Sequence, residues 1–378
     1  MASTRYRLGD LIEEIDRKNE TLMYDLSYVR GISNTKEITL TKADVDKTVI
    51  NKFYIILPGE FIYNPRTTRM GEKVGLAYNS TNTPLLFTFN NVAFRVKQES
   101  KRILIPDYLY IYFNRSEFDR YAMVHSWGSA TELFTFDEMC NIAVDLPNLS
   151  VQQKYVDIYK AMVANQQCYE RGLEELKLVC DGYIEDLRRK MPCEKIGKYL
   201  IESDQRNNCG LSVDAVRGLS TGKEMIPTKA DMDGVGLDNY KTVQPRQIAY
   251  VPDTSRRGDK ISLGFNDTKD TFLVSSISTV FSTDTDYLLP EYLMLFLTRA
   301  EFDRYARFNS WGSARETFDW SEMCNVEIPI PDIKVQKAIA EIFSVYVERK
   351  KINEQLKAQI KDICPILIKG SLEEARED

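Results

Sequence analysis

The sequence predicts an α+β protein: two tandem β-rich domains with small helices, joined by two long helices packed as an antiparallel coiled coil, the whole pseudo-twofold. Three observations predict it. The 378-residue chain is written twice, as an internal repeat. Each copy opens with short β-branched and aromatic runs set between Gly, Pro and Asn. Each copy closes with a long stretch of helical periodicity. The length suits two domains with a connecting element, and 43% hydrophobic with 28% charged residues is the balance of an ordinary globular chain.

The repeat fixes the organisation. Glu117 to Ala122 recurs as Glu301 to Ala306, Ser126-Trp127-Gly128-Ser129-Ala130 as Ser310-Trp311-Gly312-Ser313-Ala314, and Glu138-Met139-Cys140-Asn141 as Glu322-Met323-Cys324-Asn325, all at an offset of 184. Upstream, Val29-Arg30-Gly31 matches Val216-Arg217-Gly218 and Tyr63 matches Tyr250, at an offset of 187. Each copy is too long for a solenoid unit, so the reading is a duplicated domain plus helix. The expected boundaries are a domain at 1–150, a helix at 151–190, a second domain at 191–331, and a second helix with a tail at 332–378.

Within the first copy, Phe53–Leu57, Glu60–Tyr63, Leu85–Phe89 and Val92–Val96 read as strands, with Pro58-Gly59 as a turn. Pro106 and Pro290 stand where proline opens a helix at its first turn. Leu109, Tyr112, Phe113 and Tyr121 follow at helical spacing, then a polar loop and a short strand to Pro147. Phe118 and Tyr121 read as core, Asp119 and Arg120 as surface or an intradomain pair, and Cys140 and Cys324 as buried.

Ser150-Val151-Gln152-Gln153 has the form of a capping box, with Ser150 as cap and Gln153 reaching back. Behind it Tyr155, Ile158, Met162, Tyr169, Leu173, Leu176, Cys180, Tyr183 and Leu187 form an apolar stripe. No proline intervenes before Pro192, so about 40 residues make a rod of roughly 60 Å. The second stripe is Ile339, Ile342, Tyr346, Leu356, Ile360 and Ile363, interrupted by Arg349 and Asn353, with Pro365 expected to end or kink the helix. Matched stripes favour mutual packing over two helices each lying on its own domain.

Composition excludes several classes. No signal-like segment stands at Met1 to Tyr6 and no run is long enough to span a membrane. Seven cysteines without a CxxC pair point to reduced thiols in the cytoplasm. The net charge is −6, and residues 1–150 carry 18 basic against 19 acidic side chains, so any nucleic-acid contact must come from local basic clusters or from partners.

Catalytic patterns are missing. The sole histidine, His125, is replaced by Asn309 in the second copy and reads as structural. Asn64-Pro65-Arg66-Thr67 lacks the second proline and the aromatic of a methyltransferase base-gripping loop, and no glycine-rich cofactor turn follows a strand. Asp253 followed by Asp259-Lys260 has the wrong spacing for a magnesium nuclease, and its first acid is Arg66 in the other copy.

The order of domain, helix, domain, helix resembles the specificity subunits of type I restriction–modification enzymes. Pro147-Asn148-Leu149-Ser150-Val151-Gln152-Gln153 and Pro331-Asp332-Ile333-Lys334-Val335-Gln336 look like that family's proline–aliphatic–Gln approach to each conserved helix, and the Ser-Trp-Gly-Ser-Ala loops fit its second recognition segment. The resemblance implies two target-recognition domains, each reading half of a bipartite site in double-stranded DNA. It implies helices that set the half-site separation and dock two methyltransferase subunits, with restriction subunits completing the nuclease. It further implies a cytoplasmic, non-catalytic chain that binds no cofactor or metal, with S-adenosylmethionine, ATP and magnesium on the partners. An adaptor that binds protein and not DNA, or a degenerate nuclease or methyltransferase, are the alternatives.

Two loops per half are the candidate DNA contacts. The first supplies Arg66, Thr67, Thr68, Arg69 and Lys73, against Thr254, Ser255, Arg256, Arg257 and Lys260. Arginine can bond guanine bidentately, and Lys, Ser and Thr can hold phosphate. The second supplies Ser126, Ser129 and Thr131, against Ser310, Ser313 and Arg315, around a glycine that lets backbone approach a groove. Trp127 and Trp311 themselves are expected to be buried anchors.

Overall fold

The computed structural model describes residues 3–41, 47–67, 73–129, 131–254, 260–313 and 315–377. Two compact units emerge: Met1–Cys168 with Asn353–Asp378, and Tyr169–Ile352. The end of the chain thus belongs with its beginning.

In the first unit a four-stranded antiparallel sheet runs in the order Ile12–Glu14, Val92–Val96, Phe61–Tyr63, Leu76–Tyr78. Phe61 faces Phe94 on one side and Tyr78 on the other. The Phe61 ring stacks on Phe94 at 5.0 Å and meets Tyr78 tilted at 4.7 Å between centroids, a cross-strand aromatic ladder of the kind that stabilises sheets. Two-stranded pairs flank it: Arg30–Ile32 with Ile38–Leu40, Tyr54–Ile56 with Leu85–Phe87, and Thr4–Arg7 with Ala143–Leu146. Pro106 opens the helix Pro106–Phe113, as its fixed φ and absent N–H favour, and Tyr108, Leu109, Ile111 and Phe113 fill the core.

The second unit repeats this plan. Its sheet order is Leu200–Ser203, Thr279–Thr283, Ile248–Val251, Ser262–Phe265, with Ile248 in the place of Phe61. Pro290 opens Pro290–Leu297. Cys140 and Cys324, expected to be buried, are half-buried, because each packs on a glycine near its unit's first strand, Gly9 or Gly197, and not in the sheet core.

The long helices are Leu149–Lys190 and Ile333–Glu377. The first begins two residues earlier than expected because Asn148, not Ser150, caps it. Asn148 Oδ1 accepts from the Val151 N–H (3.0 Å) and the Ser150 hydroxyl (2.6 Å). Asp332 Oδ1 does the same for Val335 (3.0 Å). Gln153 only meets Asp157 on the surface. The glutamine that matters is its neighbour: fully buried Gln152 accepts from the Ile105 N–H (3.0 Å) and donates to the carbonyls of Ile103 and Pro147 (both 2.8 Å). Gln336 makes the same three bonds, to Leu289, Tyr287 and Pro331.

The helices pair antiparallel within each unit. In the first, Lys154 and Tyr155 meet Glu374, and Gln166 meets Asn353. In the second, Gly172 lies against the Arg349 guanidinium. Ile158 and Tyr183, assigned to the apolar stripe, are exposed, because the buried face repeats at close to 3.5 residues and passes through Gln152, Val156, Gln166, Cys180 and Ile184 instead. The second helix does not stop at Pro365. Cys364, Leu367, Ile368 and Ser371 are buried in the first unit around it, and their packing outweighs the ~3 kcal/mol a helical proline costs.

Asn353 does not merely interrupt the stripe. Gln166 Nε2 donates to Asn353 Oδ1 at 2.9 Å, with both residues buried. Gln166→Leu should cost about 1–3 kcal/mol by stranding the Asn353 amide, and adding Asn353→Leu should restore most of it. Thermal denaturation of the single and double variants checks this; a double variant no more stable than the single would refute the pairing.

Candidate nucleic-acid interface

The two candidate loops of each half are zipped together by backbone. The first loop leaves strand Phe61–Tyr63 and the second follows helix Ser116–Val124. Leu133 forms antiparallel bridges with both Arg66 and Trp127. Thr67 N–H donates to the Glu132 carbonyl (3.1 Å) and Phe134 N–H to the Pro65 carbonyl (2.8 Å). The second half repeats every bridge, with Thr317 between Asp253 and Trp311, Thr254 to Glu316 (3.0 Å), and Phe318 to Pro252 (2.9 Å).

This zipper sorts the candidates. Arg66, Ser129, Thr131, Lys260, Ser313 and Arg315 are exposed and Lys73 is half-buried. Four hydroxyls turn inward. Thr67 and Thr254 are buried and donate to the carbonyls of Glu132 and Glu316. Ser126 and Ser310 are buried and donate to Ala122 and Ala306 at 2.6 Å, closing the last turn of the preceding helix. These four shape the loops and are withdrawn as outward contacts. Thr68, Arg69, Ser255, Arg256 and Arg257 lie outside the described residues. His125 keeps the structural role expected of it: its Nδ1 bonds the Tyr121 carbonyl, and Asn309 Nδ2 donates to Tyr305 in the same place.

The tryptophans overturn the expectation of buried anchors. Trp127 is 66% exposed and Trp311 63%. The zipper takes the loop's backbone into a bridged edge, which leaves each indole no core to enter. Val124 and Phe308, one helical turn back, are exposed as well. Each half therefore presents an aromatic, apolar tip beside polar side chains.

Gly128 and Gly312 follow the tryptophans at φ of +144° and +143°, and a Cβ there would overlap the carbonyl oxygen of Thr131 or Arg315. Gly128→Ala and Gly312→Ala should each cost about 1–3 kcal/mol, read by urea denaturation. Parental stability in both variants would mean that the loops relax freely.

The sequence reading missed what holds these loops from below. Lys36, at a left-handed turn (φ 63°), is buried and its Nζ lies 2.6 and 2.7 Å from the Asp119 carboxylate. Asp119 also accepts from the Val74 N–H (3.0 Å), at the foot of the first loop. Lys223 pairs with Asp303, which accepts from Ile261 (3.1 Å). Burial pushes both lysines below their usual range, and the carboxylates counter it. The signal available was the repetition of Lys36 and Asp119 as Lys223 and Asp303.

Chemistry-bearing clusters are scarce elsewhere. Among the described residues no group of three His, Cys, Asp or Glu could hold a metal, and no helix is long and apolar enough to cross a membrane.

Residues 254–362 match the family model described as the type I restriction modification DNA specificity domain. The fold is similar to the crystal structure of the type I restriction–modification system S subunit from M. genitalium, with a TM-score of 0.59 at 10% identity over 98% of this chain and 96% of that one. At that identity the likeness is one of fold. The HsdS subunit from Thermoanaerobacter tengcongensis aligns at 14% identity over 98% and 96% of the two chains, but its TM-score of 0.36 carries no weight. A search of curated proteins finds no match.

Proposed function

We propose that the chain is a specificity subunit of a type I restriction–modification system and that each of its halves reads one half of a bipartite DNA target. The observation that carries the proposal is the loop zipper, built identically in both halves while its exposed side chains differ. Exposed Thr131 in the first half stands where exposed Arg315 stands in the second, and exposed Arg66 where half-buried Asp253 stands. Arginine favours a guanine edge, whereas aspartate can only accept, as from a cytosine amine. Two such surfaces read different sequences, so the full target is asymmetric.

Trp127 and Trp311 are the same in both halves and cannot discriminate between half-sites. They suit what the half-sites share, the faces of bases and deoxyribose, where aromatic side chains stack or wedge without sequence preference. Leu178, Val179 and Tyr183 of the first long helix are exposed apolar side chains, which suit the docking of another subunit. On this reading the chain selects and scaffolds, methylation and cleavage belong to methyltransferase and restriction subunits, and S-adenosylmethionine, ATP and magnesium are held there.

Transplanting residues 1–150 into another specificity subunit is expected to carry one half-site with it and leave the other unchanged. Sequencing the methylated sites of cells that express the chimera reads the outcome. A palindromic native target, or a chimera that changes both half-sites, would rule out independent reading. Salt-independent behaviour of the assembled complex towards duplex DNA would favour the protein-only adaptor.

A further inference from the structure

Lysines gather at the foot of each loop pair. In the first unit Lys73, where the first loop returns to strand Leu76–Tyr78, stands beside Lys361 of the second long helix, with buried Lys36 behind. Lys361 is exposed on its helix, yet partial desolvation, and then the neighbouring Lys73 and Lys36 ammoniums, hold it below its ordinary range. The carboxylate within reach is Asp119, already bonded by Lys36 and Val74. Among the described residues, three cations thus share the Asp119 carboxylate.

The second unit repeats the arrangement at the corresponding positions, Lys260 for Lys73, Lys223 for Lys36 and Lys177 for Lys361. All three line one cavity of about 960 Å³. Seven of its lining side chains are basic and five acidic. Four of the acids are in ion pairs, Glu224 with Lys350, Asp267 with Lys351, Glu291 with Arg246, and Asp303 with Lys223. No ion pair holds Lys177 or Lys260 among the described residues, and the lining keeps an excess of positive charge in a chain whose net charge is −6.

Like charges held together cost free energy unless an anion arrives. The anion must reach both units, next to loops that differ in sequence. We propose that Lys260 and Lys177, on the cavity wall of the second unit, and their counterparts Lys73 and Lys361 in the first, bind backbone phosphates of the DNA duplex beside the base-reading loops. The proposal rests on the DNA-reading function above and extends it to the long helices, which place one lysine in each site. A phosphate contact fixes register and adds affinity but carries no sequence information.

The test uses the chain assembled with its methyltransferase subunits and compares wild type with the double variants Lys73→Gln/Lys361→Gln and Lys177→Gln/Lys260→Gln. Duplexes with the native and a scrambled target are titrated across a salt series, and the free chain is melted with and without pyrophosphate. The expected result is a plot of log K against log salt shallower by about 0.9 for each site removed. The loss should be equal on both duplexes, the methylated sequence unchanged, and the melting temperature not lowered. An unchanged slope beside normal wild-type binding overturns the sites. So does a changed methylated sequence, a defect confined to subunit assembly, or pyrophosphate binding that vanishes without any change in slope. A wild-type complex that binds neither duplex would instead bring down the DNA-reading function, and this proposal with it.

Discussion

Asp119→Ala is expected to cost about 3–5 kcal/mol, the range for removing one partner of a buried ion pair. The variant leaves the Lys36 ammonium buried without its counter-charge and the Val74 N–H without its acceptor. Lys36 already sits below its usual range through burial, with Asp119 opposing that fall. Without Asp119 it drops further. The folded state then binds fewer protons than the unfolded one between the lowered value and 10.5, so stability rises with pH across that window. The deficit should be largest at neutral pH and shrink towards pH 10. Adding Lys36→Met should recover much of it, because two apolar groups leave no orphaned charge. Urea denaturation at several pH values reads all three effects, and a loss under about 1 kcal/mol at neutral pH would mean the pair is solvated. Since Val74 anchors the first loop and the helix of Asp119 leads into the second, specific DNA binding should weaken along with stability.

Gln152→Ala should be damaging too, about 2–4 kcal/mol, because one buried and two half-buried backbone groups lose their partner at up to roughly 1–3 kcal/mol each and the site relaxes in part. The groups are the Ile105 N–H and the carbonyls of Ile103 and Pro147, which tie the start of the first long helix to the turn before Pro106. Gln152→Glu should not rescue, as a carboxylate would face two carbonyls. Gln153→Ala is the control: Gln153 is exposed and bonds only Asp157, so its loss should stay within about 0.5 kcal/mol. Equal melting temperatures for the two alanine variants would remove the clamp from the account. Gln336→Ala should repeat the result in the second unit.

Periodicity and repetition carried much of the fold. The strands around Phe61 and Phe94, the helices opened by Pro106 and Pro290, and the run from Leu149 to Lys190 are written in local patterns that their own residues enforce. What stayed hidden depends on which way a side chain turns. Thr67 and Ser126 have the composition of a contact loop, but a hydroxyl serves a neighbouring carbonyl as readily as a phosphate, and only the bridged backbone decides. Trp127 looked like core because indole usually is; the zipper denies it a core. Lys36 lies in a polar turn that reads as solvated, and Pro365 reads as a stop, until long-range partners are in place. The two loops could be named from sequence, but their fusion into a single surface could not, because the pairing of Arg66 with Leu133 spans a distance no local pattern encodes.

The second long helix gives the first unit its last piece. Cys364, Leu367 and Ile368 are buried in the core that Leu8, Phe61 and Val156 also build. A ribosome delivers these groups in a fixed order, and of these two units the one that starts to emerge earlier is the later to close its core. Until residues 353–378 leave the exit tunnel, the nascent first domain carries an open apolar seam, whereas residues 169–352 form an uninterrupted unit that is complete before them. A chain cut before residue 353 would thus be damaged in the earlier-made of these two units.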